Sequence, residues 1–169
     1  MKNIVFVGFM GSGKTTLSKV LYKELVKENP DIKLIDTDAY IEEKLSRKIS
    51  DIFAKEGEAF FRDIETETLK EIADMEGTVI VSCGGGIVER KENLSILKSI
   101  GKVVFANTPI DILWERVGND PLRPLSKDKD AFFLLYNKRL GLYTEVADVI
   151  IDTGNDSVEK CVETVRRSL

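Results

Sequence analysis

The sequence predicts an α/β fold built on a parallel sheet, because the same pattern recurs along its 169 residues. Short β-branched-rich runs indicate strands buried on both faces, and apolar residues spaced by three and four indicate amphipathic helices. Glycine and proline separate these segments. Strands that alternate with helices form βαβ units with right-handed crossovers. We therefore expect one domain, residues 1–169, with enough chain to bury a core.

The first half of the chain contains two predicted strands and a long helical region. The run 4–7 predicts the first strand, and the following helix begins near Lys14 and ends at Asn29-Pro30. One face of that helix is apolar, with Leu17, Val20, Leu21 and Leu25. Residues 34–35 predict a second strand. Residues 39–76 are mostly helical, with breaks near Ser50 and Gly57.

The second half predicts three more strands, at residues 78–82, 103–106 and 149–151. The last helix has an apolar face formed by Val158, Cys161, Val162 and Val165. Between them, residues 118–130 hold two prolines, several charges and few apolar side chains. Such a segment predicts an exposed loop, and loops of this length are often functional lids.

Charge and composition exclude several classes of function. The net charge is −4 with acidic and basic residues interspersed, which disfavours nucleic acid as a partner but leaves room for an anionic small molecule. The chain has no histidine, so histidine catalysis and histidine-ligated zinc are impossible. Cys83 and Cys161 are expected to be buried thiols in a reducing cytoplasm. No apolar segment approaches the 18 residues of a membrane span, so we expect no membrane association.

The strongest motif is 8–15, GFMGSGKT, which fits G-x-x-x-x-G-K-[ST] in full. A buried strand precedes it and an amphipathic helix follows, as a phosphate-binding P-loop requires. Backbone N–H groups and the helix N-terminus would surround phosphate oxygens. Lys14 can reach the β- and γ-phosphates, and the Thr15 hydroxyl can bind Mg²⁺. The motif predicts a P-loop protein but does not separate kinases from switches or motors.

Asp36 and Asp38 follow the second predicted strand, at the edge where ligands bind in open parallel sheets. On an extended chain their side chains would point the same way, and close carboxylates need a cation or a donor. We assign Asp36 to the shell of Mg²⁺, and Asp38 to orienting an acceptor hydroxyl and taking its proton. The alternative is that Asp38 caps a helix beginning near Ala39.

Glycines and arginines suggest further anion binding. Residues 84–86 are three glycines after the third predicted strand, where backbone N–H groups could meet an anion, although a tight turn is an equal alternative. Guanidinium groups suit carboxylate and phosphate, although each arginine taken singly could be a surface residue. The candidates are Arg62, Arg116, Arg123 and Arg139. An arginine on a closing loop would bring positive charge to a transferring phosphoryl group.

Together these segments resemble the shikimate kinases along essentially the whole chain. The matching segments are 8–15, 36–38, 57–62, 84–86, 123–125 and 139–143. The resemblance implies a P-loop nucleoside-monophosphate-kinase-like fold of three layers: a five-stranded parallel sheet of order 2-3-1-4-5, helices on both faces and a lid. It places a substrate-binding region at about residues 37–62 and the lid at about residues 118–130.

The resemblance also implies the reaction and the roles of individual residues. ATP, with Mg²⁺ held by Thr15 and Asp36, would phosphorylate shikimate to 3-phosphoshikimate in aromatic amino-acid biosynthesis. Catalysis is assigned to Asp38, Lys14 and Arg123. ATP binding is assigned to Gly11, Ser12, Gly13, Lys14, Thr15, Thr16, Arg116 and Arg123, with Arg116 stacking on adenine. Substrate binding is assigned to Asp38, Arg62, Gly84, Gly85 and Arg139, with both arginines on the carboxylate and Phe53 and Phe61 as possible walls.

Two alternatives remain at this stage. A related small kinase could act on gluconate or a nucleoside monophosphate, although two arginines and Asp38 suit a carboxylated polyol better. A nucleotide-dependent switch without phosphotransfer is the second alternative, but a guanine-reading N-K-x-D is missing, since residues 137–140 read NKRL. We expect a cytoplasmic enzyme that is a monomer.

Overall fold

The computed structural model describes residues 3–118 and 128–169. Its strands are β1 (Ile4–Val7), β2 (Lys33–Asp36), β3 (Val79–Ser82), β4 (Lys102–Asn107) and β5 (Val149–Asp152). The described helices are α1 (Lys14–Leu25), α2 (Thr37–Leu45), α3 (Ile49–Ala73), α4 (Lys91–Ile100), α5 (Ile110–Val117), α6 (Lys129–Val146) and α7 (Val158–Arg167).

The five strands form one parallel sheet in the order β2-β3-β1-β4-β5, as predicted. In its centre, Ile4 of β1 pairs with Ile80 of β3 on one side and with Lys102 of β4 on the other. At the edges, Leu34 of β2 pairs with Ile80, and Phe105 of β4 pairs with Ile150 of β5. The order brings the ends of β2, β3 and β1 side by side, although β3 lies far from both in sequence.

Alternate residues of each strand pack into two different helical layers. Val5 and Val7 of β1 belong to a core that includes side chains of α3, α4, α5 and α6. Ile4 and Phe6 belong to a second core with α1 and α7. All four are fully buried, and burying side chains of this size contributes about 1.5–3 kcal/mol each. A sheet covered on both faces explains why its strands are continuously apolar.

A smaller cluster lies beyond the carboxyl end of β2, in the region predicted to bind substrate. Ile41 of α2 packs there with Ile52, Phe61 and Ile64 of α3. Helix α3 is not continuous, because Gly57 has φ 83° and ψ 175° and separates two helical parts. The left-handed φ suits glycine, and the break near Gly57 is confirmed.

Some predicted boundaries differ from the structure. Helix α1 ends at Leu25, ahead of the predicted Asn29-Pro30, and the following residues form turns in which Asn29 N donates to Leu25 O at 2.8 Å. Gly118 caps the C-terminus of α5, and Lys129 begins α6, so the ends of the predicted lid belong to helices. Residues 119–127 of the predicted lid, including Arg123, lie outside the described residues. No helix in the described ranges is long and apolar enough to span a membrane.

Candidate active site

A cleft of about 1340 Å³ lies at the carboxyl edge of the sheet, where three neighbouring strands end. It is lined by the P-loop (residues 8–15) after β1, by the start of α2 after β2, and by the glycine turn (residues 84–86) after β3. Ligands bind at this edge of open parallel sheets. The cleft therefore combines the separate motifs of the sequence into one site.

The P-loop curves around the start of α1. Gly11 and Gly13 have φ of 81° and 87°, which other side chains rarely adopt. A Cβ on Gly13 would meet nothing within 4 Å, so its backbone faces open space at the helix N-terminus. Lys14 is buried, and its Nζ donates to Gly8 O at 2.8 Å and to Phe9 O at 2.9 Å. This arrangement is suited to a polyphosphate.

Oxygen atoms from three elements meet beside the P-loop. The exposed Thr15 donates from Oγ1 to Asp36 Oδ2 at 3.3 Å, and Thr15 Oγ1 lies 3.4 Å from Ser82 Oγ. Carboxylate and hydroxyl oxygens are the ligands that Mg²⁺ prefers. Ser82, at the end of β3, was not among the predicted site residues.

Asp36 also caps helix α2. Its Oδ1 accepts hydrogen bonds from Asp38 N at 3.1 Å and from Ala39 N at 3.3 Å. The predicted extended geometry of the acidic pair is therefore wrong: α2 begins at Thr37, and Asp38 lies in its first turn. The capping role considered for Asp38 belongs to Asp36, which leaves the Asp38 carboxylate for the cleft.

Asp38 lies against the glycine turn. A Cβ on Gly84 would come 2.5 Å from Asp38 Oδ1. Burial raises the pKa of Asp38 above its ordinary value of 3.8, and Asp36 adds to this effect, while Lys14 and Arg62 oppose it. A carboxylate with a raised pKa between two cations is suited to accept a proton from a bound hydroxyl.

The glycine turn is held by side chains from two helices. Gly84 N donates to the buried Thr37 Oγ1 at 2.9 Å, so this N–H group is engaged by the protein and not by an anion as the sequence had suggested. Tyr143, which is fully buried on α6, donates from Oη to Gly85 O at 2.5 Å. Tyr143 had no predicted role. These two bonds fix the turn that separates Asp38 from the P-loop.

Arg62 is held on the acceptor side of the cleft by two glutamates. Nη1 donates to Glu65 Oε2 at 2.5 Å, and Nη2 donates to Glu58 Oε1 at 3.0 Å. The guanidinium also lies 5.5 Å from the ring centroid of Phe61. Its Nε is buried and has no hydrogen-bond partner among the described residues.

Arg139 reaches the same side of the cleft from α6. It is 5% exposed and pairs with Glu89, whose Oε1 also lies 3.8 Å from Arg62 Nη2. The two arginines predicted to bind one carboxylate thus converge on a single oxygen. Sequence reasoning missed their three acidic partners, Glu58, Glu65 and Glu89. Glu65 follows Arg62 by three residues in a predicted helix, a spacing at which opposite charges can pair, so this partner could have been predicted. Nothing in the sequence relates Glu89 to Arg139.

Glu65 is the most deeply buried acidic side chain near the cleft, with 1% exposure. Burial raises its pKa above the ordinary value of 4.5, although the charge of Arg62 opposes this.

Cys83, which precedes the glycine turn, is also buried as predicted, and burial raises the pKa of its thiol. A buried thiol with a raised pKa is unreactive, in agreement with the absence of an assigned role.

Arg116 connects the P-loop to the loop after β5. Nη1 donates to Gly11 O at 3.1 Å and Nη2 donates to Thr153 O at 3.0 Å. Both contacts use backbone carbonyls, so the guanidinium plane is anchored beside the P-loop. The aromatic pair predicted to wall the substrate region, Phe53 and Phe61, lines the same cleft with ring centroids 4.7 Å apart. Phe61 is buried and Phe53 is 37% exposed.

Comparison with known proteins agrees with this geometry. A family model described as shikimate kinase matches residues 10–169. The shikimate kinase of Bacillus mycoides (strain KBAB4) is 42% identical over 171 residues, covering 100% of this chain and 99% of that protein. Among solved structures, shikimate kinase from Acinetobacter baumannii in complex with shikimate has a TM-score of 0.87 at 32% identity, covering 99% of this chain and 92% of that one.

A gluconokinase from Sinorhizobium meliloti 1021 is much less similar. It reaches a TM-score of 0.55 at 16% identity, with 96% of this chain and 88% of that chain covered, so the likeness concerns the fold alone. The family match over nearly the whole chain and the full-length relatives carry far more weight. This chain belongs to the shikimate kinase family.

Proposed function

We propose that this protein transfers the terminal phosphoryl group of ATP to the 3-hydroxyl of shikimate, as a step of aromatic amino-acid biosynthesis. The observation that carries the proposal is the position of Asp38. Its carboxylate has a raised pKa and lies at the carboxyl edge of the sheet, under the influence of the P-loop lysine Lys14 on one side and Arg62 on the other. A phosphate site, a base and a carboxylate site thus share one cleft.

The nucleotide occupies the P-loop side of the cleft. Residues 11–16 would surround the phosphates. Five of them line the cleft, namely Gly11, Gly13, Lys14, Thr15 and the exposed Thr16, whereas Ser12 is fully buried behind them. Lys14 exchanges its bonds to two loop carbonyls for the β- and γ-phosphates. Arg116, anchored to Gly11 O and Thr153 O, presents its guanidinium plane to adenine.

Mg²⁺ fits the oxygen donors on the same side. Thr15 and Asp36 would hold it, because their oxygens already lie 3.3 Å apart and Asp36 keeps one oxygen free of the helix cap. When bound, the ion supplies positive charge that offsets the phosphate oxygens. The hydroxyl of Ser82, 3.4 Å from Thr15 Oγ1, adds a polar group to this shell.

The acceptor hydroxyl is oriented by Asp38. As the new O–P bond forms and the bond between the γ-phosphorus and the bridging oxygen of ADP breaks, Asp38 accepts the hydroxyl proton. Lys14 stabilises the negative charge on the transferred group. Arg123, which lies outside the described residues, is assigned the same role by similarity to the family: it would stabilise the negative charge on the transferred phosphoryl group.

Arg62 and Arg139 bind the substrate carboxylate. Their convergence on Glu89 supports this assignment, since guanidinium groups form bidentate bonds with carboxylates. A nucleotide acceptor would need a base-binding pocket in addition. Gluconate, a carboxylated polyol, is the closest competitor in chemistry.

One assay tests the proposal directly. Purified protein with ATP and Mg²⁺ is offered shikimate, gluconate and nucleoside monophosphates in turn, and ADP release is followed with coupling enzymes. We expect a kcat/KM for shikimate at least about a hundredfold above every other acceptor, a ratio typical of a site that hydrogen-bonds its substrate. ³¹P and ¹H NMR of the product should place the phosphate on the 3-hydroxyl. Comparable turnover of gluconate would overturn the assignment.

A further inference from the structure

The two edges of the Arg139 guanidinium have different surroundings: one is hydrogen-bonded to Glu89, and the other faces the glycine turn. Nε donates to Glu89 Oε1 at 2.8 Å, and Nη2 donates to the same oxygen. Nη1 lies at the other end, towards the glycine turn, where a Cβ on Gly85 would come 3.7 Å from it. One edge is therefore committed to a protein carboxylate, while the remaining end borders the cleft.

Glu89 is itself fixed through both of its oxygens. Oε2 accepts from Lys138 Nζ at 3.2 Å, and Oε1 lies 3.8 Å from Arg62 Nη2. Burial alone would raise its pKa, but hydrogen bonds and charge from Arg139, with the contributions of Lys138 and Arg62, bring the pKa of Glu89 below its ordinary value. Glu89 is thus a charged, 14% exposed side chain at the centre of three cations.

The backbone around Glu89 is equally well anchored. Its own N–H donates to Gly86 O at 3.0 Å, so the residue is tied to the glycine turn. The neighbouring Val88 is fully buried in the core beneath the sheet edge. The carboxylate that orients Arg139 therefore extends from the same rigid segment that separates Asp38 from the P-loop.

We propose that Glu89 is a positioning residue for acceptor binding: it holds Arg139 so that the Nη1 end of the guanidinium meets the carboxylate of the substrate. This inference rests on the proposed function and adds to it a residue that determines affinity for an anionic acceptor. Without Glu89, Arg139 keeps its charge and its contacts with the Phe9 ring and Tyr143, but it loses the two hydrogen bonds that hold its Nε and Nη2 edge. Misplacement of a binding group by about 1 Å can cost up to a hundredfold in activity.

The opposite role, a carboxylate that occupies the substrate's place until it is displaced, fits the geometry less well. Displacement would have to break two bonds to Arg139 and one to Lys138. It would also move a side chain that begins at an anchored turn. The two roles predict opposite changes in affinity, so they can be separated experimentally.

The test compares Glu89→Ala with Glu89→Gln. Glutamine keeps an oxygen that can accept from Arg139 Nε and Nη2, and the exposed Lys138 can turn away from its amide. We expect Glu89→Ala to raise the KM for shikimate about tenfold, with kcat and the KM for ATP within about twofold of the wild type. Glu89→Gln should have a shikimate KM equal to or below that of the wild type, because orientation is kept and a negative charge is removed.

Glu92→Ala is the matched control. Glu92, like Glu89, is a glutamate that pairs with an arginine, in this case Arg90 at 3.6 Å, but it is exposed and does not line the cleft. All kinetic constants of this variant should equal those of the wild type. Thermal unfolding of each variant reports separately on folding, and Glu89→Gln keeps the test informative if the alanine variant does not fold.

Each outcome decides between the roles. A shikimate KM that is unchanged or lower in Glu89→Ala would overturn the proposal, and so would an equal rise in both variants, since the glutamine could not then restore orientation. A loss shared by kcat and the KM for ATP would indicate a general structural role instead. If the wild-type protein does not phosphorylate shikimate, the proposed function is wrong. The wild-type assay shows this by itself, so that failure can be distinguished from a failure of the inference about Glu89.

Discussion

The carboxylate of Asp38 lies directly against the Cα of Gly84, so that a Cβ on this glycine would come within 2.5 Å of Asp38 Oδ1. The glycine is required here for space, since its backbone does not adopt a left-handed conformation. A third glycine in the turn has the same purpose, because a Cβ on Gly86 would collide with the guanidinium of Arg62. Two of the three glycines thus make room for acceptor-side groups.

Gly84→Ala should lower kcat/KM for shikimate at least about tenfold, because the added methyl group displaces the Asp38 carboxylate from its position. Steady-state kinetics with both substrates measure this effect. Gly141→Ala is the control: Gly141 is exposed within α6, and a Cβ there meets nothing within 4 Å. That variant should gain up to about 1 kcal/mol of stability with unchanged kinetics.

Asp38→Asn should lower kcat at least about a hundredfold, because the amide cannot accept the hydroxyl proton. The same variant should not be less stable than the wild type at pH 7. The folded-state pKa of Asp38 is raised, so its charged form disfavours folding as the pH rises through 3.8 and above. Thermal unfolding at pH 4 and pH 7 should show the advantage of asparagine growing with pH. Wild-type turnover in purified Asp38→Asn would contradict the assigned base.

Asp36→Asn separates the two tasks of that residue. Asparagine caps helices as well as aspartate does, so α2 should remain folded and the unfolding temperature should change little. Its amide is a poorer partner for Mg²⁺, so the Mg²⁺ concentration for half-maximal activity should rise, by about tenfold if the pair with Thr15 is part of the metal shell. Titration of activity with Mg²⁺ measures this. An unchanged Mg²⁺ dependence would remove Asp36 from the shell.

Arg62→Ala and Arg139→Ala should both raise the KM for shikimate but should differ in stability. Removing Arg62 leaves Glu65, which is 1% exposed, without its closest cation, and an orphaned buried charge costs about 3–5 kcal/mol. Removing Arg139 leaves Glu89 with Lys138 and a smaller loss. Denaturant unfolding at pH 7 compares the two variants.

The loss in Arg62→Ala should also depend on pH. The pKa of Glu65 is already raised in the folded protein, and without Arg62 it would rise further. The penalty relative to the wild type therefore grows as the pH rises above the raised pKa of Glu65 in the wild type, and it is released below 4.5. Adding Glu65→Gln to Arg62→Ala should restore much of the stability at pH 7. A penalty that does not change with pH would show that the Arg62–Glu65 pair is not its source.

The strands and the P-loop motif could be predicted because they depend on local patterns, whereas the order of the strands was implied by the resemblance to the shikimate kinases. Runs such as Ile4–Val7 are apolar on both faces, and the P-loop motif combines strand, glycines and helix within 12 residues of sequence. The break at Gly57 was likewise visible in the sequence, since only glycine suits φ 83°. These features depend on residues that are close together in the chain, so a single sequence is sufficient to predict them.

Other features depend on contacts between distant segments. The pairing of Arg139 with Glu89 spans 50 residues and arises only when α6 packs near the glycine turn. The capping by Asp36 was misassigned because α2 follows β2 without a linker, so the strand's last residue is also the helix cap. The exposed Phe53 and the buried Phe61 could not be distinguished, since both are aromatic residues of the predicted helical region, on either side of the break at Gly57.

The double duty of Asp36 limits which residues can replace it. One oxygen closes the first turn of α2 while the other meets Thr15, so the side chain needs two acceptors on a stem of one methylene. Serine and threonine have a single oxygen, asparagine turns a donor towards the threonine, and glutamate is longer by one carbon. Aspartate alone meets both demands, so any replacement at this position would break either the cap of α2 or the hydrogen bond with Thr15.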